Sequence, residues 1–188
     1  MAKESAFVDE ALADAGSVLK PPFSIKRGSA LLYQITVDNK LELTVNPEQP
    51  KRGYYAFQTD LCIFEKKSDR INIPRVVIEL KERITTHDVI TYSAKARMHK
   101  KVYPYLRYGL AASSVEFVPS RFFTHNESMD FCAPMANIKK SDRIEFWSNL
   151  LKPEIKASRQ LEQIAFGGFH PAIFRTVVIT SLASSGHG

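Results

Sequence analysis

The sequence predicts one α/β (α+β) domain over residues 1–188, in which a mixed β-sheet is flanked by helices. Short alternating or β-branched apolar runs between residues 31 and 81 predict the strands. Apolar residues that recur every three or four positions, at 5–19 and again at 86–102, predict helices. The 44% hydrophobic and 24% charged residues are ordinary for a globular protein, which excludes disordered and fibrous classes.

The N-terminal part of the chain predicts a helix and then a hairpin. Residues 5–19 are predicted to form the first flanking helix, which should end where two prolines follow, because proline restricts the residue before it. Residues 31–37 and 40–45 alternate apolar and polar side chains, and we expect a two-residue turn at Asp38-Asn39 between them. Residues 46–53, with two prolines and a glycine, predict a loop.

Four further segments predict strands. Residues 55–65 are almost continuously apolar, which favours a central strand, and residues 74–81 contain three consecutive β-branched residues, which favour a buried one. Residues 107–113 and 122–135 are also expected in the sheet. The predicted core of the domain therefore covers about residues 31–135.

A basic segment follows the buried strand. It holds seven basic and two acidic residues between Lys81 and Arg107, and so contributes +5 of the net charge of +6. Thr85 or Thr86 should begin a helix here and Pro104 should end it. Four residues at spacings of four are expected to face the core: Ile90, Ala94, Met98 and Val102. Such a localised charge is expected of a protein that binds phosphate groups, and a solvated helix face is the alternative.

The C-terminal part predicts a second pair of helices and a last strand. Asp142 with Glu145 resembles a capping box, which would begin the flanking helical region over residues 141–166. Pro153 is expected to begin a separate helix within it. Residues 173–180 predict one more strand.

Three charged residues form the candidate catalytic site. Glu79 and Lys81 are two apart at the end of the buried strand and point to one face, and Asp60 lies on the preceding strand. If these strands pair, two carboxylates and one ammonium group meet. Two carboxylates suit Mg²⁺, with Mn²⁺ as a substitute, and such a metal lowers the pKa of a bound water. The alternative is a surface ion pair between Glu79 and Lys81.

This order of elements and residues resembles the PD-(D/E)XK, or restriction-endonuclease-like, nuclease superfamily. The resemblance covers about residues 31–135 and implies that Asp60 and Glu79 bind the divalent metal while Lys81 assists the attacking water. Thr59 stands before Asp60 where the family name has proline. The resemblance implies a Mg²⁺-dependent endonuclease that hydrolyses DNA.

The helix after the buried strand is expected to contact DNA. In many members of the superfamily the equivalent helix lies beside the active site and contacts the substrate backbone. Tyr92, Lys95 and His99 share one helix face by their spacing, and Arg97 and Lys101 form a second pair. Contacts of this kind add salt-dependent affinity without reading sequence.

Several alternatives stay open. A non-catalytic nucleic-acid-binding module on the same fold, or a metal-dependent nuclease acting on RNA, fits the same residues. Glu10, Glu42 or Glu65 would be the further metal ligand if a third carboxylate completes the site. One small domain with one site needs a second copy to cut both strands of a duplex at once, so a homodimer is a hypothesis.

Other function classes lack their signals in this sequence. The five histidines show no zinc-ligand spacing, and no phosphate-binding glycine loop indicates a nucleotide cofactor. No apolar run approaches the roughly 18 residues of a membrane span, and the polar N-terminal segment lacks the apolar core of a signal peptide. Cys62 and Cys132 are expected to be reduced thiols, so we expect a cytoplasmic protein without a membrane partner.

Overall fold

The computed structural model describes residues 2–173, so that most of the strand predicted over residues 173–180 lies outside the described residues. Within them the helices are α1 (Ala2–Val18), α2 (Thr86–Val102), α3 (Ser120–His125) and α4 (Arg143–Phe166), and a short 3₁₀ turn (Lys140–Asp142) precedes α4. The strands are β1 (Phe23–Arg27), β2 (Ala30–Leu32), β3 (Lys51–Arg52), β4 (Tyr55–Gln58), β5 (Leu61–Lys66), β6 (Asn72–Lys81), β7 (Arg107–Ala112) and β8 (Phe131–Pro134).

The main sheet is mixed, as predicted. Its strand order is β1-β5-β6-β7-β8, with antiparallel pairing from β1 to β6 and parallel pairing from β6 to β8. The parallel pairing of β6 with β7 requires a crossover, and α2 provides it. A second, smaller sheet has the order β2-β4-β3.

Helices cover both faces of the main sheet. On one face α1 and α4 pack against β5 and β6, and the cluster there includes Ala15, Ile78 and the fully buried Trp147. On the other face α2 and α3 pack over β7, around Val89 and Leu106. β6 is buried from Pro74 to Leu80, because both of its faces are covered.

The predicted hairpin over residues 31–45 is wrong in its extent. β2 ends at Leu32, and the two arms meet at an isolated bridge between Val37 and Leu43. The turn spans residues 38–42, because the Asp38 carboxylate accepts from the backbone N–H groups of Lys40 and Glu42. These side-chain hydrogen bonds close the turn. They take the place of the backbone hydrogen bonds that would have continued between the two arms as far as a two-residue turn.

The single strand predicted over residues 55–65 is two strands, β4 and β5. Thr59 interrupts them by donating from its backbone N–H and its hydroxyl to the Ser29 carbonyl, at 2.9 and 3.0 Å. β1, which the sequence analysis did not predict, pairs with β5 and begins the main sheet at Phe23 rather than at residue 31.

α2 presents a different face to the core than predicted. Ile90 is 52% exposed, and the buried positions are Val89, Tyr92, Ser93, Ala96 and His99. His99 is tolerated inside because its Nδ1 forms a hydrogen bond with the Leu32 carbonyl oxygen, and the Tyr92 ring packs against the Lys81 ammonium group. The predicted start is confirmed, since Thr85 forms a capping box with Asp88.

The C-terminal region also differs from the prediction. Residues 120–125 form α3 instead of a strand, and α4 is one helix that runs through Pro153. Its buried stripe, which includes Trp147 and Leu151 before the proline and Ile155 after it, continues against the sheet, so packing outweighs the lost hydrogen bond. Asp142 makes no side-chain capping bond.

Both Cys62 and Cys132 are free thiols, as predicted. In residues 2–173, we find no helix with the length and apolar character needed to cross a membrane.

Candidate functional site

The structure brings Asp60 and Glu79 together at one end of the main sheet. The break after β4 places Asp60 immediately before β5, whose first residue pairs with Ile78 of β6. The Asp60 backbone N–H donates to Glu79 Oε2 at 3.4 Å, and the Leu80 N–H donates to Asp60 Oδ2 at 2.8 Å. Each carboxylate therefore accepts a hydrogen bond from the backbone of the other segment, and the two lie side by side.

Glu79 is a buried carboxyl group with an altered proton affinity. It is 2% exposed, and the Tyr108 hydroxyl donates to its Oε1. Burial and then the charge of Asp60 raise the pKa of Glu79 to about 7, although the Tyr108 hydrogen bond and the charge of Lys95 lower it. Near neutral pH the ionised form is disfavoured by its surroundings, and a bound cation would favour it.

Lys81 is the last residue of β6, two positions after Glu79, and the charges of Asp60, Glu79 and Lys81 all act on the Tyr92 hydroxyl. Its Nζ is 5.5 Å from the centre of the Tyr92 ring, and the Nζ of Lys95 is 4.9 Å from the same ring. Burial, and then the charge of Glu79, raises the pKa of Tyr92 to about 12, so it is a neutral phenol close to two ammonium groups. We call Asp60, Glu79 and Lys81 the acid–lysine cluster.

The donor set of this cluster fits a hard divalent cation with few protein ligands. In residues 2–173, no group of three or more histidine, cysteine or acidic residues is placed to hold a metal ion. Two carboxylates are sufficient for Mg²⁺, because this ion retains waters and binds substrate phosphate. Asp60 and Glu79 are the residues that would hold it.

The other acids proposed from sequence lie elsewhere. Glu10 pairs with Arg143, and Glu42 is exposed in the 38–42 turn. Glu65 is buried between Arg75 and Arg159, where it accepts hydrogen bonds from both. The structure places none of these three carboxylates with Asp60 and Glu79.

Of the residues predicted to contact nucleic acid, Arg97 and Lys101 are exposed on α2, and Lys95 is partly exposed. Tyr92 is 9% exposed and lines the acid–lysine cluster.

His99 is fully buried and its Nδ1 lies 2.9 Å from the Leu32 carbonyl oxygen. Burial lowers the pKa of His99 to about 4, so the ring is neutral at pH 7. A direct contact of His99 with substrate was therefore a wrong prediction.

Tyr108 is a residue of the site that the sequence analysis did not include among the candidate site residues. It lies on β7, and the parallel register that pairs Val77 with Tyr108 brings its hydroxyl to Glu79. Its ring also stacks on His99, with centroids 5.7 Å apart. The local sequence pattern predicts only that Tyr108 lies on a strand. Its contact with Glu79 depends on the pairing of β6 with β7.

No protein-family model and no curated protein sequence matches this chain.

Proposed function

We propose that this protein is a divalent-metal-dependent endonuclease of the restriction-endonuclease-like kind, which hydrolyses DNA phosphodiester bonds. The observation that supports this most directly is the acid–lysine cluster: two adjacent carboxylates and an ammonium group at the end of a buried strand. The helix that follows this strand displays the basic surface expected beside a phosphate-rich substrate.

The order of the elements supports the same proposal. An antiparallel pair, a strand that ends in Glu79-Leu80-Lys81, a helix and a parallel strand follow one another in the main sheet. The resemblance to the PD-(D/E)XK superfamily rests on a hairpin, a strand with Asp60, a strand that ends in Glu79-Leu80-Lys81, a helix and a strand. In the main sheet β1 stands in place of the hairpin expected at residues 31–45, and Asp60 lies immediately before β5 rather than within a strand.

The roles of the side chains follow from their positions. Asp60 and Glu79 would hold the metal, which supplies charge neutralisation at the phosphate and a water of lowered pKa. Lys81 orients a water and offsets negative charge that develops at the phosphate. Tyr108 fixes the orientation of Glu79 through its hydrogen bond, and is a positioning residue.

A non-catalytic nucleic-acid-binding module is the second candidate. The observation that favours it is the burial of Glu79, whose two oxygens already accept hydrogen bonds from Asp60 and Tyr108. In such a module these bonds would stabilise the sheet end, and the exposed Arg97 and Lys101 would bind the phosphates.

The experiment that separates the two candidates compares the wild type with Lys81→Ala on supercoiled and linear DNA, in Mg²⁺, Mn²⁺ or EDTA. We expect metal-dependent cutting that falls by roughly 100-fold or more in Lys81→Ala, since a charged group at the reacting phosphate is removed. Lys156→Ala is the matched control, because Lys156 has the same Glu-x-Lys spacing but is exposed on α4.

Cutting by folded Lys81→Ala at the wild-type rate would show that Lys81 has no catalytic role. If the folded wild type binds DNA in a salt-sensitive way but cuts in neither metal, the binding module is supported. In that case charge reversal at both Arg97 and Lys101 should abolish binding.

A further inference from the structure

A second feature lies next to the acid–lysine cluster, on the small sheet. It is a cavity of about 270 Å³ between the loop that follows β2, the β3–β4 strands and α2. Tyr33 and Phe57 border it, with their rings stacked at a centroid distance of 4.0 Å and an interplanar angle of 17°. Both rings are partly exposed. We call this the aromatic cavity.

Polar groups border the same cavity beside the rings. Arg52 and Gln58 lie on β3 and β4, and the Arg52 guanidinium donates to Gln58 Oε1 at 2.8 Å. The guanidinium keeps further donors, and the amide nitrogen of Gln58 is a donor as well. The cavity therefore combines a flat aromatic surface with side chains that can bond to the edge of a planar ring.

Lys95 connects the aromatic cavity to the acid–lysine cluster. Its Nζ is 5.7 Å from the centre of the Phe57 ring and 4.9 Å from that of Tyr92, over which Lys81 also lies. Its charge also lowers the pKa of Glu79. A phosphate bound at Lys95 would therefore lie between the cavity and the candidate catalytic groups.

We propose that the aromatic cavity binds an unpaired nucleobase of the DNA substrate, so that the protein acts on DNA with single-stranded or frayed nucleotides beside the cleaved bond. This inference rests on the proposed function and specifies its substrate class. Base–aromatic stacking accepts any base, because every base has a π-face, and neighbouring cations bind the backbone. Bases inside a duplex have both faces stacked and do not enter such a cavity.

Other ligands of this size fit the lining less well. A free phosphate makes no favourable contact with two stacked rings. An apolar side chain offers no polar group to Arg52, Gln58 and Lys95. The volume lies just below the usual range for small-molecule pockets, which suits one ring system with its attached sugar.

The test measures binding in EDTA, so that it does not depend on cleavage. Fluorescence anisotropy compares three probes of equal length, about 12 nucleotides, which is within the site size of single-strand binders. They are a single-stranded oligothymidylate, an abasic strand with the same number of phosphates, and a blunt duplex. We expect the wild type to bind the oligothymidylate at least tenfold more tightly than the abasic strand.

Substitution of Tyr33 then tests the cavity itself. Tyr33→Ala should weaken binding of the oligothymidylate roughly tenfold and change abasic-strand binding less than twofold, because one stacking surface is lost. Tyr33→Trp should retain binding, and it also shows whether the position accepts change without unfolding. Tyr54→Ala is the matched control, since Tyr54 is 71% exposed on the adjoining loop and does not border the cavity.

Equal binding of the base-containing and abasic strands, or a folded Tyr33→Ala that binds both as the wild type does, would overturn the inference. A protein that shows the Tyr33-dependent preference but never cuts DNA in Mg²⁺ or Mn²⁺ would support the cavity and contradict the proposed nuclease. Metal-dependent cutting without that preference would support the proposed nuclease and contradict the proposed role of the aromatic cavity.

Discussion

Replacing Glu79 by glutamine should make the metal-free protein more stable at high pH and less stable at low pH. The wild-type carboxyl group is buried beside Asp60, which raises its pKa from 4.5 to about 7. The unfolded chain therefore loses this proton at lower pH than the folded one. A glutamine in the same place cannot ionise.

The size of the effect follows from the shift. Between pH 4.5 and 7 the folded state holds a proton that the unfolded state has released, so the stability of the wild type falls across this window. At 1.36 kcal/mol per pKa unit, the full penalty above pH 7 is about 3 kcal/mol. Even when protonated, the carboxyl group keeps acceptor capacity on both oxygens, whereas the amide nitrogen of glutamine accepts no hydrogen bond. One of the two bonds that Asp60 and Tyr108 donate is therefore lost in the variant, which costs about 1 kcal/mol.

Urea denaturation in EDTA at about pH 4 and about pH 8 measures this change in the free energy of unfolding. We expect Glu79→Gln to be about 1 kcal/mol less stable than the wild type at the lower pH and about 2 kcal/mol more stable at the higher pH. Saturating Mg²⁺ should reduce the advantage at high pH, because a metal that binds Asp60 and Glu79 stabilises the wild type more than a variant that has lost one of the two carboxylates.

Glu65→Gln is the opposite control. Burial alone would raise the pKa of Glu65, but hydrogen bonds from Arg159 and the charge of Arg75 lower it to about 2. Its contribution to stability is present above pH 4.5 and is lost as pH falls toward 2, so this variant should be destabilised at about pH 8. A Glu79→Gln difference with the same sign and size at both pH values would refute the assignment of the raised pKa to Glu79.

Two smaller predictions concern the groups around the site. Thr85→Ala removes the capping box of α2 and should lower the free energy of unfolding by about 1 kcal/mol, whereas Thr86→Ala should have little effect. Thermal or urea denaturation measures both variants. Equal losses of stability in the two variants would contradict the capping role of Thr85. Tyr108→Phe removes a hydrogen bond that lowers the pKa of Glu79, so the pH profile of metal-dependent cleavage should move to higher pH. An unmoved profile with normal activity would show that Tyr108 does not position Glu79.

The sequence alone determined the parts that depend on local pattern. The β-branched run predicted the buried strand that ends in Glu79 and Lys81, and the threonine before the basic segment predicted where α2 begins. These features depend on residues a few positions apart, where side-chain direction and capping chemistry are set by the local backbone.

Only the tertiary structure decided which groups meet at the site. The break at Thr59 turns Asp60 toward β6, the register of β6 with β7 brings Tyr108 to Glu79, and packing of α2 buries His99 instead of presenting it. Each result depends on contacts between segments far apart in the chain. Apolar periodicity marks which side chains are suited to burial, but it does not specify the partner strand, its register or the helix face that packing selects.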